Sequence, residues 1–201
     1  PEPIKEEFEL SGDSGYPNYM KFIYSYKKLF DTAIEKWDNG LLSSILFIGR
    51  RGSGKTSLLN NAIDKYLKDF ENIYITISPD NNRKGNLERI CEQISGKTSL
   101  EETLEFLNSK DKKVVIILEN VHFLFLRNHG NYSYLMKLFT FIGNTNKNVL
   151  WLVTIHEYTY RFISQFMPIN DLFDFKLRLN LMKGDDIRKL FIRKAKTRGY
   201  N

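Results

Sequence analysis

The sequence predicts a three-layer α/β/α domain on a mainly parallel five-stranded sheet, and three observations carry that expectation. Short runs rich in Ile, Val, Leu and Phe alternate with longer stretches whose apolar residues recur every three or four positions. Two runs, Val114–Leu118 and Val149–Ile155, are apolar almost throughout, as strands covered on both faces should be. A glycine-rich segment sits where another apolar run, Leu42–Ile48, passes into a helical pattern.

Taken in order, Pro1–Pro17 holds Gly and Pro without sustained periodicity and reads as an arm or loop. From Tyr19 to Trp37 the residues Phe22, Ile23, Tyr26, Leu29, Phe30, Ala33, Ile34 and Trp37 keep helical spacing, and Asn39-Gly40 ends the helix. Leu42–Ile48 is the first core strand. Thr56–Phe70 returns to helical spacing through Leu58, Leu59, Ala62, Ile63, Tyr66, Leu67 and Phe70. Asn72–Ser78 alternates as a second strand and meets the turn residues Pro79-Asp80-Asn81. Helical patterns around Asn86–Ile94 and Leu100–Asn108 flank Gly96. Beyond the strand Val114–Leu118 come a helix at Tyr132–Ile142, the strand Val149–Ile155 and a helix at Tyr158–Phe166 that stops before Pro168. A last strand, Phe175–Leu181, leads into Asp185–Arg198, whose first turn is acidic and whose remainder is strongly basic.

Gly49-Arg50-Arg51-Gly52-Ser53-Gly54-Lys55-Thr56 fits G-x-x-x-x-G-K-[ST] in full, between a buried strand and an amphipathic helix. That pattern is a phosphate cradle. Gly49, Gly52 and Gly54 are expected to allow positive φ angles and close backbone approach. Successive N–H groups then form a nest for the β-phosphate, and the helix start directs its positive dipole end at the same anion. Lys55 is expected to reach the β- and γ-phosphates, Thr56 to ligate Mg²⁺, and Ser57 to touch the α-phosphate. The ligand is therefore ATP or GTP. A guanine reader of the Asn/Thr-Lys-x-Asp type has its nearest match at Asn146-Lys147-Asn148-Val149, where Val replaces the Asp, so adenine is favoured by default.

Downstream, Val114–Leu118 runs into Glu119-Asn120, a buried strand ending in an acid. Such an acid serves the metal, and the next residue is often a Glu that polarises the attacking water. Here the metal position is Glu119 rather than Asp, and Asn120 can orient a water but cannot accept its proton. Hydrolysis should be slow or should use another base. His122 is a candidate for that base, against the commoner role of a histidine after a buried strand, which is packing.

With these motifs the chain resembles the AAA+ and STAND group of P-loop ATPases, from about Tyr19 to its end. The resemblance implies a helix before the phosphate loop and an extra strand inserted between the phosphate-loop strand and the acidic strand, carrying a polar sensor. Val149–His156 is similar to that strand, with Thr154 or His156 as the sensor. Leu181–Ile187 looks like the hand-over to a helical lid, which divides the chain into an arm (1–18), a nucleotide-binding domain (19–183) and the start of a lid or linker (184–201). Arg127 and Arg161 are candidates to stabilise charge on the nucleotide in cis or in trans, against the commoner role of surface arginines, which is solvation. The Glu119-Asn120 departures imply a nucleotide-driven switch working with neighbouring domains or further copies of itself, rather than a fast motor.

Composition narrows the alternatives. Hydrophobic residues at 42% and charged residues at 27% fit a folded domain rather than a disordered chain. No apolar run approaches the roughly 20 residues a membrane-spanning helix needs. One cysteine, Cys91, excludes an internal disulfide and a multi-cysteine zinc site, so a cytoplasmic home is expected. The net charge of +6 and the cations of Arg188–Arg198 leave nucleic-acid contact open. The aromatic clusters, including Tyr158–Phe162, are expected to serve packing more than base stacking. A small-molecule kinase would share the phosphate loop, but neither an arginine-rich lid nor an acceptor pocket is legible here.

Overall fold

The computed structural model describes residues 6–9, 18–79, 83–125 and 132–181, with 184, 185, 187, 188 and 192; for 6–9, 18–27 and 83–85 the description is of the backbone. The strands are β1 (Glu6–Glu9), β2 (Ser44–Gly49), β3 (Glu71–Thr76), β4 (Val114–Glu119), β5 (Val149–His156) and β6 (Phe175–Leu179). The helices are α1 (Asn18–Asp38), α2 (Lys55–Ala62), α3 (Arg83–Ser95), α4 (Leu100–Asn108), α5 (Ser133–Gly143) and α6 (Glu157–Ile163).

Among the described residues all pairings are parallel, and the sheet order is β1-β6-β2-β5-β4-β3. The five expected strands form its body, and β5 lies between β2 and β4, where the sensor-strand resemblance places it. β1 is a sixth strand, drawn from the segment read as an arm. A four-residue Glu-Glu-Phe-Glu run has no apolar period for a sequence reading to detect. Its pairing comes from the open edge of β6, in a register that sets Glu7 opposite Lys176 and Glu9 opposite Arg178.

Strand parity builds two cores. On one face Val114, Ile116 and Leu118 of β4 and Trp151 and Val153 of β5 pack with Leu87, Ile90, Leu138 and Phe139 from α3 and α5. On the other, Val115, Ile117, Leu150 and Leu152 pack with Phe30 and Trp37 of α1 and Leu58 and Leu59 of α2. Each such side chain removed from water contributes about 1.5–3 kcal/mol, which is why continuous apolar runs become central strands.

Several boundaries differ from the sequence reading: β2 runs over Ser44–Gly49 rather than Leu42–Ile48, β3 over Glu71–Thr76 rather than Asn72–Ser78, and α3 begins at Arg83. The helix expected over Thr56–Phe70 is α-helical only to Ala62 and continues as a π-turn, Ile63–Leu67. That wider turn accompanies burial of Leu67 and stacking of Tyr66 on Phe30, 5.8 Å between ring centroids. α6 ends at Ile163 rather than Phe166, and β6 ends at Leu179 rather than Leu181. Apart from residues 185, 187, 188 and 192, the basic segment 185–198 lies outside the described residues, as does Arg127. Among the described residues no helix is long and apolar enough to cross a membrane.

Candidate functional site

The phosphate loop connects the end of β2 to the start of α2. Gly52 and Gly54 take φ of 81° and 90°, conformations that a side chain strains. Gly49 corrects the sequence expectation. It does not have a positive φ; a Cβ there would lie 2.5 Å from Ser53 Oγ and 2.8 Å from the Leu179 carbonyl oxygen. Glycine is needed at this position for close packing against β6, not for an unusual backbone. Gly54 caps α2, so the N–H groups of Lys55, Thr56 and Ser57 open that helix. Ser53 is buried, while Arg51, Thr56 and Ser57 are exposed.

Lys55 Nζ donates to the Gly49 carbonyl at 2.7 Å and to the Arg50 carbonyl at 2.9 Å, which folds the ammonium over the loop. Burial lowers its pKa, with Glu119 pulling the other way. The Thr56 hydroxyl donates to Glu119 Oε1, joining the start of α2 to the end of β4 across the sheet end. Glu119 is 7% exposed, and its second oxygen, Oε2, accepts from the Tyr74 hydroxyl of β3 at 3.0 Å. Tyr74 escaped the sequence reading, where it is one position of an alternating strand. Only its parity with Thr76, which pairs with Glu119, hints at it.

Asn120 follows with φ 66°, the one positive value among described non-glycine residues. Its N–H donates to Thr154 Oγ1 at 2.9 Å. Thr154 is fully buried, so of the two sensor candidates it is occupied in holding the turn after β4. His156 pairs in register with Gly49 and is partly exposed. Its Nδ1 accepts from the Tyr158 N–H at 3.3 Å, which leaves Nε2 to carry the proton as a donor. His122 lies beside it, ring centroids 5.6 Å apart. Burial first, then the nearby His156 and Lys55, push the His122 pKa down to about 4; burial and Lys55 also lower that of His156. Both rings are therefore neutral near pH 7.

A second group missed by the sequence reading is centred on Glu157. Arg50 Nε donates to its Oε2 at 2.9 Å and Arg161 Nη2 to its Oε1 at 2.6 Å, with Arg178 Nη1 at 3.9 Å. Burial opposes ionisation of this carboxyl, but Arg50 and Arg161 outweigh it and hold its pKa below the ordinary value. The Arg50 guanidinium also lies over the Tyr158 ring, so in this arrangement Arg50 meets a phosphate only through its backbone. Arg161 is engaged in the same way rather than being directed at the loop. The only sequence signal for this cluster was an acid placed directly after the strand β5. Within the aromatic cluster Tyr158–Phe162, Tyr160 is buried in the core as expected, whereas Tyr158 and Phe162 are 58% and 40% exposed; Phe166, just beyond it, is 50% exposed.

Comparison with known proteins bears on this geometry. No curated protein matches the sequence. At the level of fold the chain is similar to the ORC1 protein of Aeropyrum pernix in complex with DNA, at TM-score 0.64 and 15% identity, over 86% of this chain and 48% of that one. It is likewise similar to the Aeropyrum pernix ORC2 protein in ADPNP-ADP complexes, at TM-score 0.61 and 15% identity, over 86% and 51%. The Thermotoga maritima RuvB Holliday junction branch migration motor aligns at TM-score 0.52 and 18% identity, over 88% and 51%. The chain thus spans about half the length of the two Aeropyrum proteins. A family model described as an AAA domain matches residues 42–161, from just before β2 into α6. With more than half of its sequence matched, the chain belongs to the AAA domain family of P-loop NTPases.

Proposed function

We propose that the domain binds Mg²⁺·ATP and acts as a nucleotide-dependent switch with slow hydrolysis, as one part of a larger STAND- or AAA+-type protein in the cytoplasm. The observation that carries this reading is the meeting of Lys55, Thr56 and Glu119 at one end of the sheet, with Thr56 hydrogen-bonded to Glu119. The loop N–H groups are suited to the β-phosphate, and Lys55 would exchange two backbone carbonyls for phosphate oxygens. Hydroxyl and carboxylate are hard oxygen donors of the kind Mg²⁺ takes, so the residues fit the ion. Thr56 and Glu119 would hold it, and its charge would offset that of the β- and γ-phosphates.

Slow turnover is supported by Asn120, whose amide takes no proton and whose backbone is fixed by Thr154. The His156 Nε2–H is suited to sense the γ-phosphate. Adenine rests on the missing Asp of the guanine reader. The output would pass to neighbouring domains or to further copies of the chain.

Calorimetry with ATP and GTP in the presence of Mg²⁺ tests the reading. Wild-type protein should bind ATP more tightly than GTP, and Lys55→Ala should weaken binding by about tenfold or more, the scale of one lost charge-assisted contact. Phosphate release should fall well below the roughly 10 s⁻¹ of a typical enzyme. No heat from either nucleotide at millimolar concentration removes the proposal, and a complete absence of turnover leaves a non-hydrolysing binding module.

A second reading, a nucleic-acid-associated module, is favoured by the outer face of α6 and the turn after it. There Tyr158, Phe162 and Phe166 are exposed beside Arg161, and single strands are bound by stacking on aromatics among cations. Salt-dependent binding of a single-stranded oligonucleotide, lost in Phe162→Ala/Phe166→Ala, would support it. Equal binding by that variant would end it.

A further inference from the structure

Both oxygens of Glu119 are held by hydroxyl donors from different elements, Thr56 at the start of α2 and Tyr74 on β3. The register explains how Tyr74 arrives there. Thr76 pairs with Glu119, and Tyr74, two residues earlier, shares its face of the sheet. We infer that Tyr74 is a positioning residue for the metal-binding carboxylate: its phenol clamps Oε2 and so keeps Oε1 and the Thr56 hydroxyl together at the place where a divalent cation bound to a nucleotide would sit. This rests on the reading of Thr56 and Glu119 as the cation site.

The clamp answers a question raised by the sequence, namely how Glu serves where Asp is usual. A glutamate has one more rotatable bond, and more rotamer freedom to lose on fixing its carboxylate. A hydrogen bond made in advance removes that freedom before the ion arrives. The geometry leaves Thr56 able to contribute, because a hydroxyl that donates to Glu119 keeps its lone pairs for a cation. The phenol is a donor at physiological pH, as a tyrosine hydroxyl ordinarily is. Partners that orient a ligand in this way typically change metal affinity by about 10- to 100-fold when removed.

The test is calorimetric titration of ADP and ATP into wild-type, Tyr74→Phe, Glu119→Gln and the double variant, each with Mg²⁺ and with EDTA. In wild-type protein Mg²⁺ should tighten binding. Tyr74→Phe should lose about tenfold of that gain while its affinity in EDTA matches the parent. In the Glu119→Gln background the same change should do nothing further, because the partner of the phenol has lost its charge. A Tyr74→Phe protein that keeps the full Mg²⁺ gain overturns the inference and leaves the nucleotide-switch reading standing. Equal weakening with and without Mg²⁺ also overturns it, since that is the mark of a purely structural role. A wild-type protein that binds nucleotide but gains nothing from Mg²⁺ overturns both. Thermal melting of each variant identifies a folding defect, and if Tyr74→Phe fails to fold, full Mg²⁺ gain in Glu119→Gln is the overturning result.

Discussion

Gly49, Gly52 and Gly54 occupy one loop and are glycines for different reasons. At Gly52 and Gly54 a Cβ would meet nothing within 4 Å, and only the positive φ disfavours it. Gly52→Ala should therefore cost about 1–2 kcal/mol of stability, the cost of a left-handed L-residue, and the protein should still fold. At Gly49 the added methyl would strike a backbone oxygen of β6, which cannot rotate away as a side chain can. Gly49→Ala should thus displace the loop from β6 and abolish nucleotide binding, with a loss of thermal stability clearly larger than that of Gly52→Ala. Melting curves and calorimetry on the pair check this, and equal effects would refute the distinction. His122 supplies a residue-scale pH dependence. Its folded pKa of about 4 lies below the unfolded value of about 6.5, so between the two the unfolded chain binds more protons. Stability should fall as pH drops through that window and level off below it, by about 1–2 kcal/mol after discounting for solvent screening. Urea midpoints measured across the window should be flatter in His122→Gln, in which the neighbouring His156 and Lys55 no longer face a titrating ring.

At the scale of elements, α6 is tied to the phosphate loop and to β6 through one side chain. Glu157 begins the helix and accepts from Arg50 of the loop and Arg161 one turn along, with Arg178 of β6 nearby. Glu157→Gln preserves shape and removes the charge that these guanidinium groups share. The cost should be about 1–2 kcal/mol, below that of a fully buried pair, because the Arg50 and Arg161 side chains are 44% and 59% exposed and can hydrate. The folded pKa of Glu157 is depressed, so its contribution is complete above the ordinary carboxylate range and is lost as pH falls through the lowered value. The difference between variant and parent in urea should accordingly be full at pH 7 and shrink in acid. Elements with long apolar periods, β2, β4, β5 and α1, were legible because burial writes itself into the sequence. β1 was not, since backbone pairing at an open edge needs no apolar pattern. The end of α2 as a π-turn follows from packing of Tyr66 and Leu67 against distant partners, which periodicity does not record. The site divides in the same way. Lys55, Thr56 and Glu119 follow from contiguous motifs, while Tyr74 and Glu157 join them only through strand register and sheet order.

For the molecule as a whole, the parallel sheet sends all its loops of chemical interest to one end and leaves the other end to hold the strands together. That opposite end is closed by Asp174, whose Oδ2 accepts from the N–H and hydroxyl groups of both Ser43 and Ser44, at 2.7 to 3.1 Å. Ser44 Oγ in turn accepts from the Asp174 N–H, which closes the link between the starts of β2 and β6. Ser43 and Ser44 are 8% and 5% exposed, so removing their acceptor leaves buried donors with little access to water. Asp174→Ala should therefore cost about 2–4 kcal/mol, read as a lower urea midpoint with an unchanged slope. Because β2 runs from this anchor to Gly49, the substitution separates two ways in which the sheet can support the site. If the strands act as a rigid frame, the folded variant should bind Mg²⁺·ATP with parental affinity, and saturating nucleotide should restore part of the lost stability by mass action. If the start of β2 shifts against β6, the shift passes along the strand to Gly49, where Leu179 leaves no slack. Affinity would then fall together with stability. The rigid frame is the expected result, because Ile45, Leu46, Phe47 and Ile48 are fully buried between Asp174 and the loop and hold β2 in register independently of the anchor.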